Sequence, residues 1–337
     1  MTSNRPALIQ DPDPPQRLVR SIAHRKTAII SPPLRGKKFR FTQETAMNIG
    51  IILLILAELC FASSTVFAKI LTQSSNISTF EITFARFFFG VIAAFVYLKK
   101  EKQSFKPNKL SLLIMRGVLN CIAVVLFYFA AQYTTITNAN MLNMTYPAFI
   151  FLVAPFINRE KSSPVLLIFL ILTMAGIYFV VNPTFSNLNI GDMIGLASGF
   201  ASALAVCTLR EARKHDNTFI ILFYMMGTGA ILNGILVIPN FVVPTGMVAV
   251  HLLASALLGV LGQIFITSGY KYVTAKSGSL VSSARIIFAA ILGVSIFADP
   301  VSFRIMSGGI LILISIVGVS LVQNRINKKA EMADVSD

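Results

Sequence analysis

Apolar runs of about twenty residues recur along this chain, and most charges fall between them. A helix rises about 1.5 Å per residue, so each run can cross the ~30 Å hydrocarbon core of a bilayer. Only helices and closed barrels satisfy their own backbone in lipid, and continuous apolar runs of this length predict helices. The composition agrees. Hydrophobic residues make up 55% and charged residues 13% of the 337 residues, where a soluble domain carries about 25% charged. The expected fold class is an all-α polytopic membrane protein. Ten spans are placed at 48–71, 79–98, 110–130, 137–157, 163–181, 192–212, 218–238, 249–270, 275–297 and 302–322.

Residues 1–46 are different: they hold nine Lys/Arg and six Pro and no apolar period. Such a segment reads as a basic disordered tail. It lacks the apolar core of a secretory signal peptide. A start at Met47, which opens the first apolar run, stays open as an alternative. Residues 323–337 read as a second, C-terminal tail.

Basic residues set the expected orientation. They gather in the N-terminal tail, after span 2 (Lys99, Lys100, Lys102, Lys106, Lys109), after span 4 (Arg159, Lys161), around the end of span 6 (Arg210, Arg213, Lys214), around the loop after span 8 (Lys271, Lys276) and in the C-terminal tail. The alternate loops carry almost none. The positive-inside rule then puts both termini in the cytoplasm, as an even number of crossings requires. The pI near 10 does not point to nucleic acid, because the basic residues lie in short clusters between apolar runs. The expected location is the cell's inner (plasma) membrane, with the bilayer itself as partner.

The two halves are weakly alike. "FAAQYTTITNANMLNMTYPAFIFLVAPFINREK" from Phe129 parallels "TSGYKYVTAKSGSLVSSARIIFAAILGVSIFAD" from Thr267, each closing on an acidic residue, Glu160 or Asp299. Five spans make a half, 47–181 and 190–322. Because five is odd, the second half enters the membrane from the opposite face. An inverted repeat of this kind is typical of secondary transporters that bind substrate near the midplane between the halves.

"FARFFFG" in span 2, "LNMTYPAFIFLVAPFINRE" in span 4 and "MAGIYFVVNP" closing the first half resemble the drug/metabolite transporter superfamily, in particular its EamA-type ten-helix carriers. The resemblance covers residues 47–322. Within it, "FEITFARFFFG", "LIMRGVLN" and "SSARIIFAAILG" look most like the S-adenosylmethionine uptake carriers of intracellular bacteria, which also place an arginine in each of these segments. Here Arg285 follows "SSA" instead of the aromatic residues expected beside it.

Charges inside the spans are the candidate site. Glu58 and Arg285 each lie ten residues into a span, roughly 15 Å deep and so near the midplane. Arg86 is about 10 Å deep from the outer side, and Arg116 lies six residues in from the inner side. A charge at a helix centre costs at least about 2.5–3.5 kcal/mol, so it must face protein or a wet cavity unless it snorkels to the headgroups. Arg116 is shallow enough to snorkel. A structural Glu58–Arg285 pair that fixes helix packing is compatible with a site role. Alternatively, Glu58 or a ligand carboxylate neutralises Arg86. Glu58, Ala62, Thr65 and Lys69 share one helix face by spacing, as do Gly278, Ser282, Arg285 and Ala289. Polar residues that could line the same cavity are Asn143 and Tyr146 in span 4, Tyr224 in span 7 and Gln263 in span 8. Singly, such residues serve more often as contacts between helices.

Three arginines against one central carboxylate favour a substrate with an anionic group. S-adenosylmethionine offers a carboxylate to the arginines, positive groups to Glu58 and an adenine to stack on Tyr or Phe. An amino acid or a related carboxylated metabolite fits nearly as well. The expectation is therefore a secondary carrier working by alternating access. The resemblance implies S-adenosylmethionine uptake or exchange; the alternative is an amino-acid or metabolite importer or exporter. A membrane enzyme or a non-transporting sensor would be readings of other kinds. The sequence holds no HExxH, GxSxG or P-loop motif, and its loops are too short for a nucleotide-binding domain. No catalytic residue, cofactor or metal is expected. Cys60, Cys121 and Cys207 read as buried free thiols. The glycine-rich spans permit a homodimer without requiring one.

Overall fold

The computed structural model describes residues 43–134, 136–160, 163–183, 189–298 and 302–335. Most of the N-terminal tail, together with Lys161 and Asp299, lies outside them. The described residues form helices and no strands. In chain order these are α1 (Gln43–Ser74), α2 (Thr79–Lys100), α3 (Leu110–Tyr133), α4 (Ile136–Asn143), α5 (Tyr146–Ile157), α6 (Pro164–Val181), α7 (Ile190–Ala212), α8 (Thr218–Val237), α9 (Gly246–Gly269), α10 (Ala275–Ser282), α11 (Ala284–Phe297) and α12 (Phe303–Val335). They supply ten segments long and apolar enough to cross a membrane, whose ends fall within three residues of the expected spans. α12 continues past its span to Val335. Large apolar side chains point outward, as a lipid-facing surface requires: Leu152, Phe156, Ile171 and Ile231 are all strongly exposed.

Short polar residues start the helices by capping their first free N–H groups. The Ser78 side chain accepts from Glu81 N, Asn217 from Ile220 N and Thr274 from Ser277 N. Asn189 and Asp192 form a reciprocal capping box on α7. Pro164 opens α6, where its missing N–H costs nothing.

The packing has an internal two-fold pattern. The first span packs on the eighth and the third on the sixth. The second packs on the seventh, and the fifth on the tenth. The fourth touches the sixth as the ninth touches the first, and the fourth and ninth touch each other. Exchanging every span for the one five places away leaves this set of contacts unchanged. Close approach of the fifth and tenth spans depends on glycine. A Cβ on Gly308 would lie 2.6 Å from the Gly176 carbonyl oxygen.

The fourth and ninth spans are not single helices. α4 gives way to α5 at Met144 and Thr145, and α10 gives way to α11 at Ser283. Both joins tighten into i→i+3 bonding: Thr145 N donates to Leu142 O and Ser283 N to Leu280 O, each at 3.2 Å. Thr145 and Ser283 stand opposite each other when Phe129 is aligned with Thr267. Beyond each span the chain turns on a residue in the left-handed region, Arg159 (φ 56°) and Ala298 (φ 55°).

Candidate functional site

Glu58 on α1 is completely buried, and Arg285 on α11 donates Nε–H to its Oε2 at 2.6 Å. The Phe61 ring, one turn from Glu58, lies 4.7 Å from the guanidinium carbon. Although Arg285 stands at mid-span, 31% of its side chain remains accessible while Glu58 has none. Glu58 Oε1 has no hydrogen-bond partner.

Arg86 on α2 is half-buried and does not pair with Glu58. Its Nη2 donates to Ser64 Oγ at 3.2 Å. Ser64 in turn donates to the Ser255 carbonyl at 2.7 Å, which ties α1 to α9 and fixes the acceptor in place. The Arg86 side chain lies across Gly259, where any Cβ would collide with Nε, Cδ and Cγ. Its buried Nε is unpartnered. Arg285 and the Tyr128 phenol are its electrostatic neighbours. Two guanidinium groups thus share one region with a single carboxylate.

Arg116 on α3 is 4% exposed, so it does not reach the headgroups as a snorkelling side chain would. Among the described residues no hydrogen bond or ion pair reaches its guanidinium, and the Tyr270 hydroxyl is its electrostatic neighbour. Tyr146 opens α5 and lies in electrostatic reach of Glu58 and Arg285.

The other expected site residues are engaged elsewhere. Asn143 Nδ2 donates to Ser198 Oγ at 2.9 Å and Ser202 Oγ at 3.3 Å, joining α4 to α7. Tyr224 Oη donates to the Phe105 carbonyl at 3.1 Å. Gln263 Nε2 approaches Met225 Sδ at 3.5 Å. The shared face of α1 also divides. Glu58 and Ala62 are buried, whereas Thr65 and Lys69 are exposed, with Lys69 Nζ 3.8 Å from the Phe297 ring centroid.

Tyr270 was not expected at the site. It sits just past α9, fully buried, with its ring against Gly278 of α10. Ser282 Oγ is the side-chain hydrogen-bond neighbour of its hydroxyl. Tyr146 and Glu58 are its electrostatic neighbours. Tyr270 links Arg116 to Tyr146 and Glu58 as a common electrostatic neighbour.

One end of the bundle is tightly closed. Glu160 accepts from Ala275 N at 2.7 Å and Lys276 N at 3.2 Å, capping α10 across the two halves. Arg210 Nη1 donates to the carbonyls of Tyr270 and Lys271. Asn158 Nδ2 donates to the Cys207 carbonyl. Asp216 accepts from the backbone of Asn108 and Lys109. Every residue of α10 is buried. At the opposite end α4 has Asn138 and Ala139 buried and Asn140 exposed. Two grooves of about 460 and 420 Å³ lie on the outside, one between α2 and α8 and one between α6 and α12. Both are lined by apolar residues and neither touches the charged set.

A ten-span helical bundle with paired and unpaired charges held at mid-membrane is the build of a multi-pass membrane transporter. The chain belongs to the EamA-like transporter family, whose model matches it twice, over residues 48–182 and 189–321. It is 23% identical over 276 residues to the pseudopaline exporter CntI of Pseudomonas aeruginosa, covering 81% of this chain and 96% of that protein. It is 24% identical over 292 residues to human solute carrier family 35 member G1, covering 81% and 79%. An uncharacterized transporter of Helicobacter pylori is 25% identical over 279 residues, covering 79% and 92%. In three dimensions it resembles a solved crystal structure with a TM-score of 0.69 at 16% identity, covering 82% of this chain and 98% of that one. This likeness establishes the shared fold.

Proposed function

We propose that this protein is a secondary carrier for a small carboxylate-bearing solute, bound at mid-membrane between two inverted five-helix halves. One observation carries the reading: the Arg86 guanidinium lacks a carboxylate among the described residues, yet lies beside the Glu58–Arg285 pair. A cation held inside a span without a counter-charge is costly, and a ligand carboxylate lowers that cost. A bidentate arginine–carboxylate contact also fixes orientation. Tyr128 and Tyr146 offer aromatic faces to the rest of the solute.

The positive-inside rule assigns both termini and the Glu160–α10 end to the cytoplasm of the plasma (inner) membrane. In that orientation the Glu160 cap on α10 lies at the cytoplasmic end. Alternating access then requires the fourth and ninth spans to separate at the Glu160 cap. Their joins at Thr145 and Ser283 mark where each can bend.

S-adenosylmethionine fits the chemistry of the charged set. None of the three relatives named above is described as a carrier for it. The likeness to an exporter makes outward movement of a metabolite the competing direction. Purified protein in liposomes tests both: uptake and counterflow of labelled S-adenosylmethionine and a panel of amino and organic acids, with and without a pH gradient. Saturable flux of a carboxylated solute, abolished by Arg86→Gln, is expected. Flux confined to solutes without an acidic group refutes the reading.

A further inference from the structure

Arg86 meets a neutral partner, and that partner is itself tightly held. Ser64 on α1 and Ser255 on α9 have no exposed surface and bond each other reciprocally. Ser64 Oγ donates to the Ser255 carbonyl at 2.7 Å, and Ser255 Oγ donates to the Ser64 carbonyl at 3.0 Å. A hydroxyl has one hydrogen and two lone pairs. With its hydrogen given to the Ser255 carbonyl, Ser64 Oγ is left as an acceptor, and it accepts from Arg86 Nη2 at 3.2 Å. Gly259 lies one turn past Ser255 on the same face of α9, and its missing side chain is the gap that Arg86 crosses. α1 also holds the other arginine, since Glu58 accepts from Arg285 six residues before Ser64. The two anchors on α1 are about 9 Å apart along its axis.

We propose that Ser64 is a positioning residue for the carboxylate site: its hydroxyl, oriented by the Ser255 carbonyl, presets the Arg86 guanidinium without neutralising it. This rests on the carboxylate reading of Arg86. An acidic residue in the place of Ser64 would spend the charge of Arg86 and compete with the solute. A serine aims the guanidinium and leaves its charge for the ligand. Arginine carries several N–H donors, so one bond to Ser64 leaves others for a carboxylate. A long side chain fixed before the solute arrives need not be ordered during binding, and affinity rises accordingly. Ser64 acts through Arg86 and need not touch the solute.

Binding to the full-length chain in nanodiscs tests this, with S-adenosylmethionine and L-methionine each compared with its carboxyl methyl ester. The unaltered protein should bind at least one acid about tenfold or more tightly than its ester. Ser64→Ala should cut that preference by about three- to tenfold, the loss expected when one long side chain must be ordered at binding, and should weaken the ester far less. Placed on Arg86→Gln, Ser64→Ala should cost no further acid affinity. Ser64→Cys keeps the size but offers only a weak acceptor, and it should give the same loss even if Ser64→Ala fails to fold. Equal weakening of acid and ester, or the same loss with and without Arg86→Gln, would make Ser64 a purely structural tie between α1 and α9 and overturn the proposal. An unchanged acid preference in Ser64→Ala and Ser64→Cys overturns it too, while the Arg86 reading stands. If the unaltered protein prefers no acid over its ester, the Arg86 reading falls and the role of Ser64 falls with it.

Discussion

Replacing Glu58 by Gln leaves Arg285 without a counter-charge at mid-membrane. Removing one partner of a buried ion pair costs about 3–5 kcal/mol, because the remaining charge is desolvated and unpaired. Here Arg285 keeps 31% of its side chain accessible, so water can approach one face. That places Glu58→Gln at the lower end, about 3 kcal/mol. Arg285→Gln leaves a fully buried carboxylate without its partner. The double variant Glu58→Gln/Arg285→Gln has no orphan charge, and two amides can hydrogen-bond to each other. Its loss should therefore fall short of the sum of the single losses by at least about 1 kcal/mol, well above the ~0.5 kcal/mol scatter of independent sites. The assay is a double-mutant cycle on reversible unfolding in mixed micelles. Additive losses would show that the 2.6 Å contact contributes no coupling, and the reasoning about this pair would fail.

Gly259→Val should displace the Arg86 side chain and cut affinity for carboxylates while the protein still inserts and folds; normal affinity would mean Arg86 does not act from its position across Gly259. Gly308→Ala should push the fifth and tenth spans apart, at the ~1–3 kcal/mol typical of overpacking, read as a lower melting temperature in detergent. Glu160→Ala removes the acceptor for two N–H groups of α10 and should cost about 0.5–2 kcal/mol, with faster thiol labelling of a reporter Cys at Ser279. Unchanged labelling there would argue that the cap does not hold the cytoplasmic end shut. Reporter fusions at residue 337 should be active only in the cytoplasm.

Much of this architecture is legible because lipid imposes strong rules. A run such as 79–98 has few alternatives to a membrane helix, and the ten span limits needed only small adjustment. The charges at Glu58 and Arg285 stand out for the same reason, since nothing but function or pairing sustains them at that depth. Partnership is harder to read. Spacing along α1 and α11 says which face a charge occupies but not which of several cations lies opposite, and Glu58 meets Arg285 while Arg86 turns to Ser64. The depth of Arg116 suggested snorkelling, but neighbouring helices cover it. Asn143 and Tyr224 read as cavity residues; the structure shows Asn143 joining two helices and Tyr224 holding the Phe105 carbonyl. Tyr270 was missed because it sits at a span end, where tyrosine ordinarily marks the membrane interface. The join in the fourth span had a visible signal in Pro147, which cannot donate a helical hydrogen bond. Ser283 carries no such mark.

The central claim is that the mid-membrane charges border water inside the bundle, and hydroxyl-radical footprinting in nanodiscs tests it most directly. Radicals form from local water, so Phe61 and Tyr146 should be oxidised well above the lipid-facing Phe156, and a bound carboxylate should protect them. Modification of Phe61 and Tyr146 no greater than that of Phe156, with or without solute, would mean a dry interior and would contradict the account.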